Sequence, residues 1–249
     1  MPPISATIIT HNEARNIARA IRSLSVADEI VVVDAESTDE TRTIAAELGA
    51  RVITHAWEGF AAQKNFAAAQ ARHGWILSLD ADEELDARAQ SALAHWKTAE
   101  PAAAGYRLAR RAQYLGRWIL YSGWYPDYKL RLFDRRRGSW QGNYVHESVR
   151  VSGPVETLEG EILHYTCNSL AEHRERIEFY TDLAAAEMLA RGEDVGWWRR
   201  QLAPTWVFFF TYFLRLGVLD GYPGFLIARM AARYVRRKFD KWEALRGKK

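Results

Sequence analysis

Residues 75–84 have the sequence Trp-Ile-Leu-Ser-Leu-Asp-Ala-Asp-Glu-Glu, an apolar run that stops abruptly at four carboxylates. A strand that stays apolar to its last residue is typical of a buried sheet, and open α/β sheets bind ligands outside the carboxyl ends of their strands. Asp80 and Asp82 can both turn toward one hard cation there. Mg²⁺ or Mn²⁺ is commonly held by one or two carboxylates and the phosphates of a substrate. The alternative is a solvated acidic turn before a helix, but the position after a buried strand favours a cation site.

The composition is that of an ordinary globular protein. The chain has 249 residues, of which 48% are hydrophobic and 26% are charged, enough for one large domain and an appendage. A single cysteine, Cys167, excludes an intramolecular disulfide and suits a reducing compartment. Residues 1–10 lack the charged leader and long apolar core of a signal peptide. We therefore expect a cytoplasmic protein.

Basic residues are concentrated in two stretches, 107–137 and 229–249, although the net charge is only +3. Such clusters indicate an anionic partner, which could be a phosphorylated substrate, an acidic membrane surface or nucleic acid. Because no nucleic-acid-binding motif accompanies them, we expect no nucleic-acid partner. The alternative interpretation of each stretch is a solvated face.

The first hundred residues alternate strand and helix patterns. The predicted strands are Ile4–Thr10, Glu29–Val33, Arg51–Thr54 and Trp75–Leu79. The predicted helices between them cover residues 13–24 and 61–72, and a third helix has its N-cap within residues 37–40 and its C-terminus at Leu48-Gly49. This spacing predicts a parallel sheet wound by right-handed crossovers. Polar side chains should therefore gather at one edge of the sheet, at residues 11–13, 34–37 and 80–82.

Residues 104–192 have a different pattern, with short strands followed by one long helix. The predicted strands are Lys129–Phe133, Val145–Val151 and Glu161–Tyr165. The helix should run over Ser169–Arg191, because Ser169 is a suitable N-cap with Glu172 three residues later. No internal repeat or low-complexity linker interrupts the chain.

The last fifty residues combine an apolar run with a basic helix. Trp206–Leu214 is too short to cross a bilayer, which takes roughly 20 apolar residues. After Pro223 an amphipathic helix is predicted to carry four arginines on one face, Arg229, Arg233, Arg236 and Arg237. A basic helix that also bears aromatic residues is typical of membrane-surface binding. The alternative is that Trp206–Leu214 packs as ordinary core and the basic face is solvated.

Three strand ends carry Thr10-His11-Asn12-Glu13, Asp34-Ala35-Glu36-Ser37-Thr38-Asp39-Glu40-Thr41 and Leu79-Asp80-Ala81-Asp82-Glu83. No Gly-X-Gly-X-X-Gly or Walker loop accompanies them. In this order and spacing the motifs resemble the signature of family 2 inverting glycosyltransferases, across roughly residues 4–100. The resemblance implies the α/β GT-A fold of nucleotide-diphospho-sugar transferases, with a mostly parallel central sheet flanked by helices. A C-terminal amphipathic helical tail would follow.

The resemblance also implies a division of the chain. We expect a catalytic domain over 1–192, with a nucleotide-sugar-binding half (1–100) and an acceptor-binding half (101–192). Residues 193–249 would form a helical region that associates peripherally with the inner face of the cytoplasmic membrane.

Further segments resemble the subgroup that contains lipopolysaccharide core β-1,4-glucosyltransferases. They are Gln63-Lys64-Asn65, Gly123–Asp127, Leu130–Phe133, Val145-His146-Glu147, Leu163-His164-Tyr165, Leu219-Asp220-Gly221 and Gly224-Phe225. One departure is Ala35-Glu36, where relatives often have Ser-Gly; Glu36 adds a negative charge near the donor.

The subgroup implies transfer of a hexose, glucose, from UDP-glucose to a membrane glycolipid, the lipopolysaccharide inner core. One alternative keeps this chemistry with a polyprenyl-linked or capsule precursor as acceptor. Another is a non-catalytic nucleotide-sugar-binding protein, which would not need the candidate bases described below.

The resemblance assigns residues to the donor and to a cation. The uracil and ribose of the UDP-sugar would lie near five residues, Thr10, Asn12, Glu13, Asp34 and Ser37. Lys64 and Arg131 would offset the charge of the diphosphate. Asp80 would contact the ribose or a metal-bound water, and Mg²⁺ or Mn²⁺ would be held by three residues, Asp82, Asp80 and His164.

Inversion requires a base on the face of the sugar opposite the leaving group, which takes the acceptor proton during in-line attack. Two acids fit, Asp127 and Glu147. We expect Glu147 to be the base because it follows the strand Leu130–Phe133, where related enzymes carry this residue. Asp127 would then bind the acceptor or the sugar.

Overall fold

The computed structural model describes residues 1–142 and 147–247. The strands are β1 Ile4–Thr10, β2 Glu29–Asp34, β3 Arg51–Thr54, β4 Trp75–Asp80, β5 Glu83–Leu85, β6 Gly105–Tyr114, β7 Arg117–Trp118, β8 Asp127–Asp134, β9 Gly138–Gln141, β10 Ser148–Val151 and β11 Val155–Cys167. The helices are α1 Ile17–Ser23, α2 Thr41–Glu47, α3 Phe60–Gln70, α4 Ala87–Trp96, α5 Leu170–Ala190, α6 Trp197–Phe209 and α7 Tyr222–Arg246. A π-helical segment, Phe210–Leu214, and a 3₁₀ turn, Gly217–Asp220, lie between α6 and α7.

The chain forms two compact units. The sheet unit comprises residues 1–110 and 127–164, and the helical unit comprises residues 111–126 and 165–249. Within the helical unit, α5 packs with α7 through a buried cluster that includes Ala185, Met188, Phe239 and Trp242. The helical unit therefore includes α5, whereas the sequence analysis set a boundary at residue 192. The functional division at that residue stays a prediction.

The main sheet is mixed. Its strand order is β3-β2-β1-β4-β8-β6-β11-β5, and β3, β2, β1 and β4 run parallel as predicted. The pairs β4–β8, β8–β6 and β11–β5 are antiparallel. Thr10 pairs with Asp34, and Ile9 pairs with Asp80. The register thus brings the polar ends of β1, β2 and β4 to one edge, and the expected α/β fold with a central sheet is confirmed.

Helices cover both faces of the parallel strands. On one face, α1 and α4 pack on Ile4, Ile8, Leu77 and Leu79. On the other, Ala67 of α3 packs with Val31 and Val33 of β2. Every residue of β1 is buried, including the polar Ser5, Thr7 and Thr10, because both faces of the strand are covered.

Several predicted elements differ in their bounds. The strands expected over Lys129–Phe133 and Glu161–Tyr165 are longer, as β8 and β11, and the first helix is shorter, as α1. The strand expected over Val145–Val151 is found as β10, Ser148–Val151, and its first residues lie partly outside the described ranges. The long helix is confirmed as α5, and the Ser169 hydroxyl caps it by accepting a hydrogen bond from the Glu172 N–H at 3.1 Å. Of the helices in residues 1–142 and 147–247, none has the length and apolarity needed to span a membrane.

The Leu219-Asp220-Gly221 and Gly224-Phe225 segments lie at the turn before α7 and in the first turn of that helix. Their contacts there explain why Asp220 and Gly224 are the residue types present. The Asp220 carboxylate accepts hydrogen bonds from the N–H groups of Leu120 and Tyr121 and from the Ser122 hydroxyl, at 2.8–3.2 Å. Gly224 lies against the Gly217 carbonyl, where an added Cβ would come within 1.8 Å of the oxygen. Only glycine fits at this contact.

Candidate functional site

The loops after β1 and β2 interlock. The Asn12 N–H donates to Ser37 Oγ at 2.8 Å, and the Asn12 side-chain oxygen accepts from the Thr38 N–H at 2.8 Å. Fully buried Asp34 accepts from the Ser37 N–H at 2.8 Å and from the Ser37 hydroxyl at 2.5 Å. Asn12 has a φ of 54°, a left-handed conformation that asparagine tolerates better than most residues. Asn12, Asp34 and Ser37 thus form one rigid edge of the site.

Thr10 and Glu13 lie beside this edge. The Glu13 N–H donates to Thr41 Oγ1 at 2.8 Å, and its carboxylate accepts from the Asn16 side chain at 2.7 Å. The Thr10 hydroxyl is buried and has no hydrogen-bond partner among the described residues. Buried polar groups in native proteins are nearly always paired. An unpaired hydroxyl at the carboxyl end of β1 is therefore a candidate ligand contact.

Lys64 of α3 is buried among charged and aromatic groups, with 3% of its side chain exposed. Its Nζ lies 2.8 Å from Asp80 Oδ1, 3.1 Å from Glu147 Oε1 and 4.3 Å from the centre of the Trp140 ring. A buried ammonium is costly unless it is paired, so these contacts explain why Lys64 can lie inside. The structure therefore brings together three residues that the sequence analysis had assigned to different roles, Lys64, Asp80 and Glu147.

The neighbours of Lys64 on α3 bind the adjoining segments. The Asn65 side chain donates to the carbonyl of Trp140 in β9 and accepts from the Trp140 N–H, both at 2.9 Å. The Gln63 side-chain amide donates at 3.1 Å to the carbonyl of His55, which follows β3. The Gln63-Lys64-Asn65 motif thus places one cation between two residues that anchor α3 to neighbouring segments.

Arg131 of β8 supplies the second buried cation at Asp80. Its Nη2 lies 2.8 Å from Asp80 Oδ2 and 2.7 Å from Glu83 Oε1. Burial would raise the pKa of Asp80, but Arg131 and Lys64 hold it well below its ordinary value. Asp80 is therefore ionised, with one carboxylate oxygen on each cation.

Glu83 is a site residue that the sequence analysis missed. It is fully buried, and its carboxylate accepts from Arg131, from Arg110 Nη1 at 3.1 Å and from the Asp80 N–H at 3.1 Å. The sequence shows Glu83 as one of four carboxylates in the acidic run, but their spacing alone does not show which of the four side chains points into the protein. Pairing of β5 with β11 sets Glu83 opposite His164 and decides it.

Arg110 extends the network to Asp127. Its Nη2 lies 2.7 Å from Asp127 Oδ2, and Lys129 Nζ lies 3.1 Å from Asp127 Oδ1. Burial would raise the pKa of Asp127, but Arg110 and Lys129 lower it. Burial would lower the pKa of Arg110, whereas Glu83 and Asp127 raise it. We call the alternating series the charge chain: Glu147, Lys64, Asp80, Arg131, Glu83, Arg110 and Asp127.

Asp82 and His164 form a separate pair. Asp82 Oδ2 lies 3.1 Å from His164 Nε2, and the two side chains are 17% and 16% exposed. A carboxylate and an imidazole are suitable donors for Mn²⁺. Asp80, the third predicted ligand, is instead bound to Lys64 and Arg131. Within residues 1–142 and 147–247, no group of three or more His, Cys, Asp or Glu side chains is arranged to hold a metal ion. The chain thus offers two donors, and a diphosphate or water would supply the rest.

Val145 and His146 of the Val145-His146-Glu147 segment lie outside the described residues. The predicted site residues all belong to the sheet unit, and the structure divides them into the rigid edge with Thr10 and Glu13 beside it, the charge chain and the Asp82–His164 pair.

Comparison with known proteins identifies the family of the chain. The sequence model of glycosyl transferase family 2 matches residues 5–152. An uncharacterized glycosyltransferase of Rickettsia felis is 32% identical over 256 residues, covering 95% of this chain and 88% of the relative. A lipopolysaccharide core biosynthesis glycosyltransferase, LpsC, of Rhizobium meliloti is 30% identical over 241 residues, covering 94% of this chain and 89% of the relative.

Among solved structures, residues 1–349 of TarS from S. aureus in complex with UDP-GlcNAc align with a TM-score of 0.48 at 15% identity, covering 99% of this chain and 92% of that one. This likeness is too low to bear on the site. The family match and the full-length relatives confirm the resemblance that the strand-end motifs indicated. The chain belongs to glycosyl transferase family 2 and is a glycosyltransferase.

Proposed function

We propose that the protein is an inverting, metal-dependent glycosyltransferase that moves a hexose, glucose, from a UDP-sugar to a membrane glycolipid of the lipopolysaccharide inner core. The observation that carries the proposal is the charge chain, in which two buried cations flank the strand-end Asp80 and one of them, Lys64, also binds the candidate base Glu147. The name of the Rhizobium meliloti relative supports the choice of acceptor.

The donor nucleoside would be held at the rigid edge. Asn12, Asp34 and Ser37 fix the loops, so that the edge would not have to reorganise on binding. The unpaired Thr10 hydroxyl offers a hydrogen bond to the uracil or ribose, and the nearby Glu13 carboxylate can accept one.

The diphosphate would be held by Lys64 and Arg131. Both cations are buried and already oriented, so they can stabilise negative charge on the leaving group without reorganising. Arg131 Nε is buried and has no acceptor among the described residues, and a phosphate oxygen would provide one. Asp82 and His164 would hold Mg²⁺ or Mn²⁺, which when bound neutralises charge on the departing diphosphate.

Glu147 would take the proton from the acceptor hydroxyl. Among the described residues, its ion pair is with Lys64, and its side chain is 17% exposed, so an acceptor can reach it. Asp127 is bound by Arg110 and Lys129, which lower its pKa and make it a weaker base. We therefore assign Asp127 to binding the acceptor or the sugar.

The protein would meet its acceptor at the inner face of the cytoplasmic membrane. We define the aromatic surface as Trp198, Leu202, Trp206, Phe209 and Phe213 on α6 and the following π-helical segment. These side chains are 47–70% exposed, and their spacing of three or four residues puts them on one side of the helix. An exposed apolar patch of this kind marks an interaction surface and speaks against the alternative that the run is ordinary core.

The test is mass spectrometry of the core oligosaccharide from cells with and without the gene. Cells without it should produce a core shortened at one hexose. Complementation with the wild-type gene should restore the hexose, and complementation with Glu147→Gln should not. An unchanged core together with an altered capsule or polyprenyl-linked oligosaccharide would instead support the alternative acceptor.

A further inference from the structure

A basic groove lies in the helical unit, whereas the charge chain belongs to the sheet unit. It has a volume of about 410 Å³ and is formed by residues of α5, α6 and α7. Four arginines line it, Arg174, Arg229, Arg233 and Arg236, together with Thr205 and Phe208. No Asp or Glu is among the described residues that line this groove. Its size is that of a small-ligand site rather than of a flat charged face.

The groove arginines differ from the neighbouring cations of α7 in their pairing. Arg237 and Lys241 lie 2.7 and 3.2 Å from Glu178 Oε2 on α5. Arg233 lies 3.6 Å from the other oxygen of Glu178. Arg174, Arg229 and Arg236 make no ion pair with any described residue. The predicted basic face is therefore divided, because Arg237 and Arg233 are paired with Glu178 while Arg229 and Arg236 keep their charges available, as does Arg174 of α5.

The groove borders the aromatic surface. Thr205 and Phe208 line the groove, and the residues that follow each of them in sequence, Trp206 and Phe209, belong to the aromatic surface. Successive residues of an α-helix are separated by about 100° around its axis, so the two features occupy adjacent sides of α6. An anionic group at the surface of a bilayer that receives the aromatic residues would lie beside the groove arginines.

We infer that the groove binds the phosphate-bearing headgroup of a membrane lipid. Several unpaired guanidinium groups in one cavity suit a group with more than one negative charge, and arginine binds phosphate through paired N–H donors. This inference rests on the proposed attachment of the aromatic surface to a membrane. It adds a discrete site with a chemical preference to what would otherwise be diffuse attraction to anionic lipid.

The experiment measures binding of the full chain to three vesicles: neutral phosphatidylcholine, phosphatidylcholine with phosphatidic acid, and phosphatidylcholine with phosphatidylglycerol at equal surface charge. The wild type should prefer the phosphomonoester of phosphatidic acid. The double variant Arg229→Gln/Arg236→Gln should lose about tenfold or more of that affinity and the preference with it. The matched control, Arg199→Gln/Arg246→Gln, removes the same charge at exposed positions of the same unit outside the groove and should keep the preference.

The possible outcomes distinguish a specific headgroup site in the groove from general attachment of the aromatic surface to a membrane. Equal losses in the two double variants, or wild-type binding without a headgroup preference, would overturn the groove site while leaving the attachment intact. Failure of the wild type to bind any vesicle would overturn both. Inorganic phosphate alone, titrated without vesicles, should bind far more weakly than the lipid; comparable affinity would overturn the assignment to a lipid. Unchanged thermal melting of both variants excludes misfolding as the cause.

Discussion

Lys64 illustrates how a single residue acquires its role from the fold. In the sequence it lies on an alanine-rich helix and could have been solvated. In the structure it is almost completely buried, because Asp80, Glu147 and the Trp140 ring surround its ammonium group. The same contacts link the candidate base to the candidate diphosphate-binding residues. A substitution of Lys64 should therefore also alter the surroundings of Glu147.

Glu147 and Asp127 can be distinguished by isosteric amide substitutions. Glu147→Gln keeps an oxygen for Lys64 but removes the base, so we expect the transfer rate to fall about 10²–10⁴-fold with UDP binding nearly unchanged. Asp127→Asn should mainly raise the KM for the acceptor. Steady-state kinetics and calorimetric titration with UDP would measure both effects. If Asp127→Asn lost the rate while Glu147→Gln stayed active, the two roles would have to be exchanged.

Asp82 should be essential for metal-dependent transfer. Asp82→Ala removes one of the two donors that the chain offers beside the diphosphate, so Mn²⁺ binding should weaken and transfer should fall about 10²-fold or more. Glu84→Ala is the matched control, because Glu84 belongs to the same acidic run but lies 3.4 Å from Arg19. Calorimetric Mn²⁺ titration and transfer assays would measure the effects. Wild-type turnover of Asp82→Ala in the presence of a chelator would show that the metal-dependent mechanism is wrong.

At the scale of elements, the α5–α7 pair combines an apolar core with one multiply bonded carboxylate. Glu178 of α5 accepts hydrogen bonds from Arg237 and is also 3.2 Å from Lys241. The Arg237 hydrogen bonds, more than the opposing effect of burial, lower the pKa of Glu178 from 4.5 to about 2. Two basic residues of α7 are therefore committed to packing and are not available to a membrane.

This pairing predicts a pH-dependent contribution to stability. Because the folded-state pKa of Glu178 is depressed, its stabilisation is fully present above about 4.5 and is lost as the pH falls toward about 2. Glu178→Gln should lower the stability at pH 7 by about 1 kcal/mol or less, since the carboxylate is partly exposed. The difference in melting temperature from the wild type should shrink across that acidic range.

Glu175→Gln is the control for this effect, as Glu175 is exposed on the same helix and makes no ion pair with any described residue. A deficit of Glu178→Gln that stayed constant down to pH 2 would mean that packing, rather than charge, links the helices.

At the scale of the whole molecule, the aromatic surface is the main feature without a role in the chemistry. Trp206 and Phe209 are 58% and 47% exposed. Burying such side chains is worth about 1.5–3 kcal/mol each, so their loss should be measurable even if immersion in a bilayer is partial. Trp206→Ala/Phe209→Ala should weaken binding to neutral and anionic vesicles about tenfold or more, measured by flotation.

The same double variant should hydrolyse a soluble UDP-sugar at the wild-type rate. Trp57→Ala, which removes an exposed tryptophan of the sheet unit, should leave vesicle binding unchanged. Equal vesicle binding by the wild type and the double variant would assign the aromatic surface to another partner.

The parallel strands, their helices and the polar edge follow from the sequence alone. Strands β1 to β4 agree with the prediction to within one residue at each end, because the apolar, β-branched runs of β2 and β4 end at the carboxylates Asp34 and Asp80 and turn residues bound the other strands. The resemblance carried by the three strand-end motifs determined the family, and composition identified the apolar run and the basic helix.

Only the tertiary structure decided which charges meet. Arg131 and Glu83 are 48 positions apart, and Lys64 and Glu147 are 83 apart. The Glu83 side chain points inward because β5 pairs with β11. Arg237 is held in an ion pair because Glu178 of another helix lies beside it. Hydrophobic periodicity is a local property of the chain, whereas a buried charge is stable only beside a partner that distant segments bring to it. That is why the edge could be predicted from the sequence and the charge chain could not.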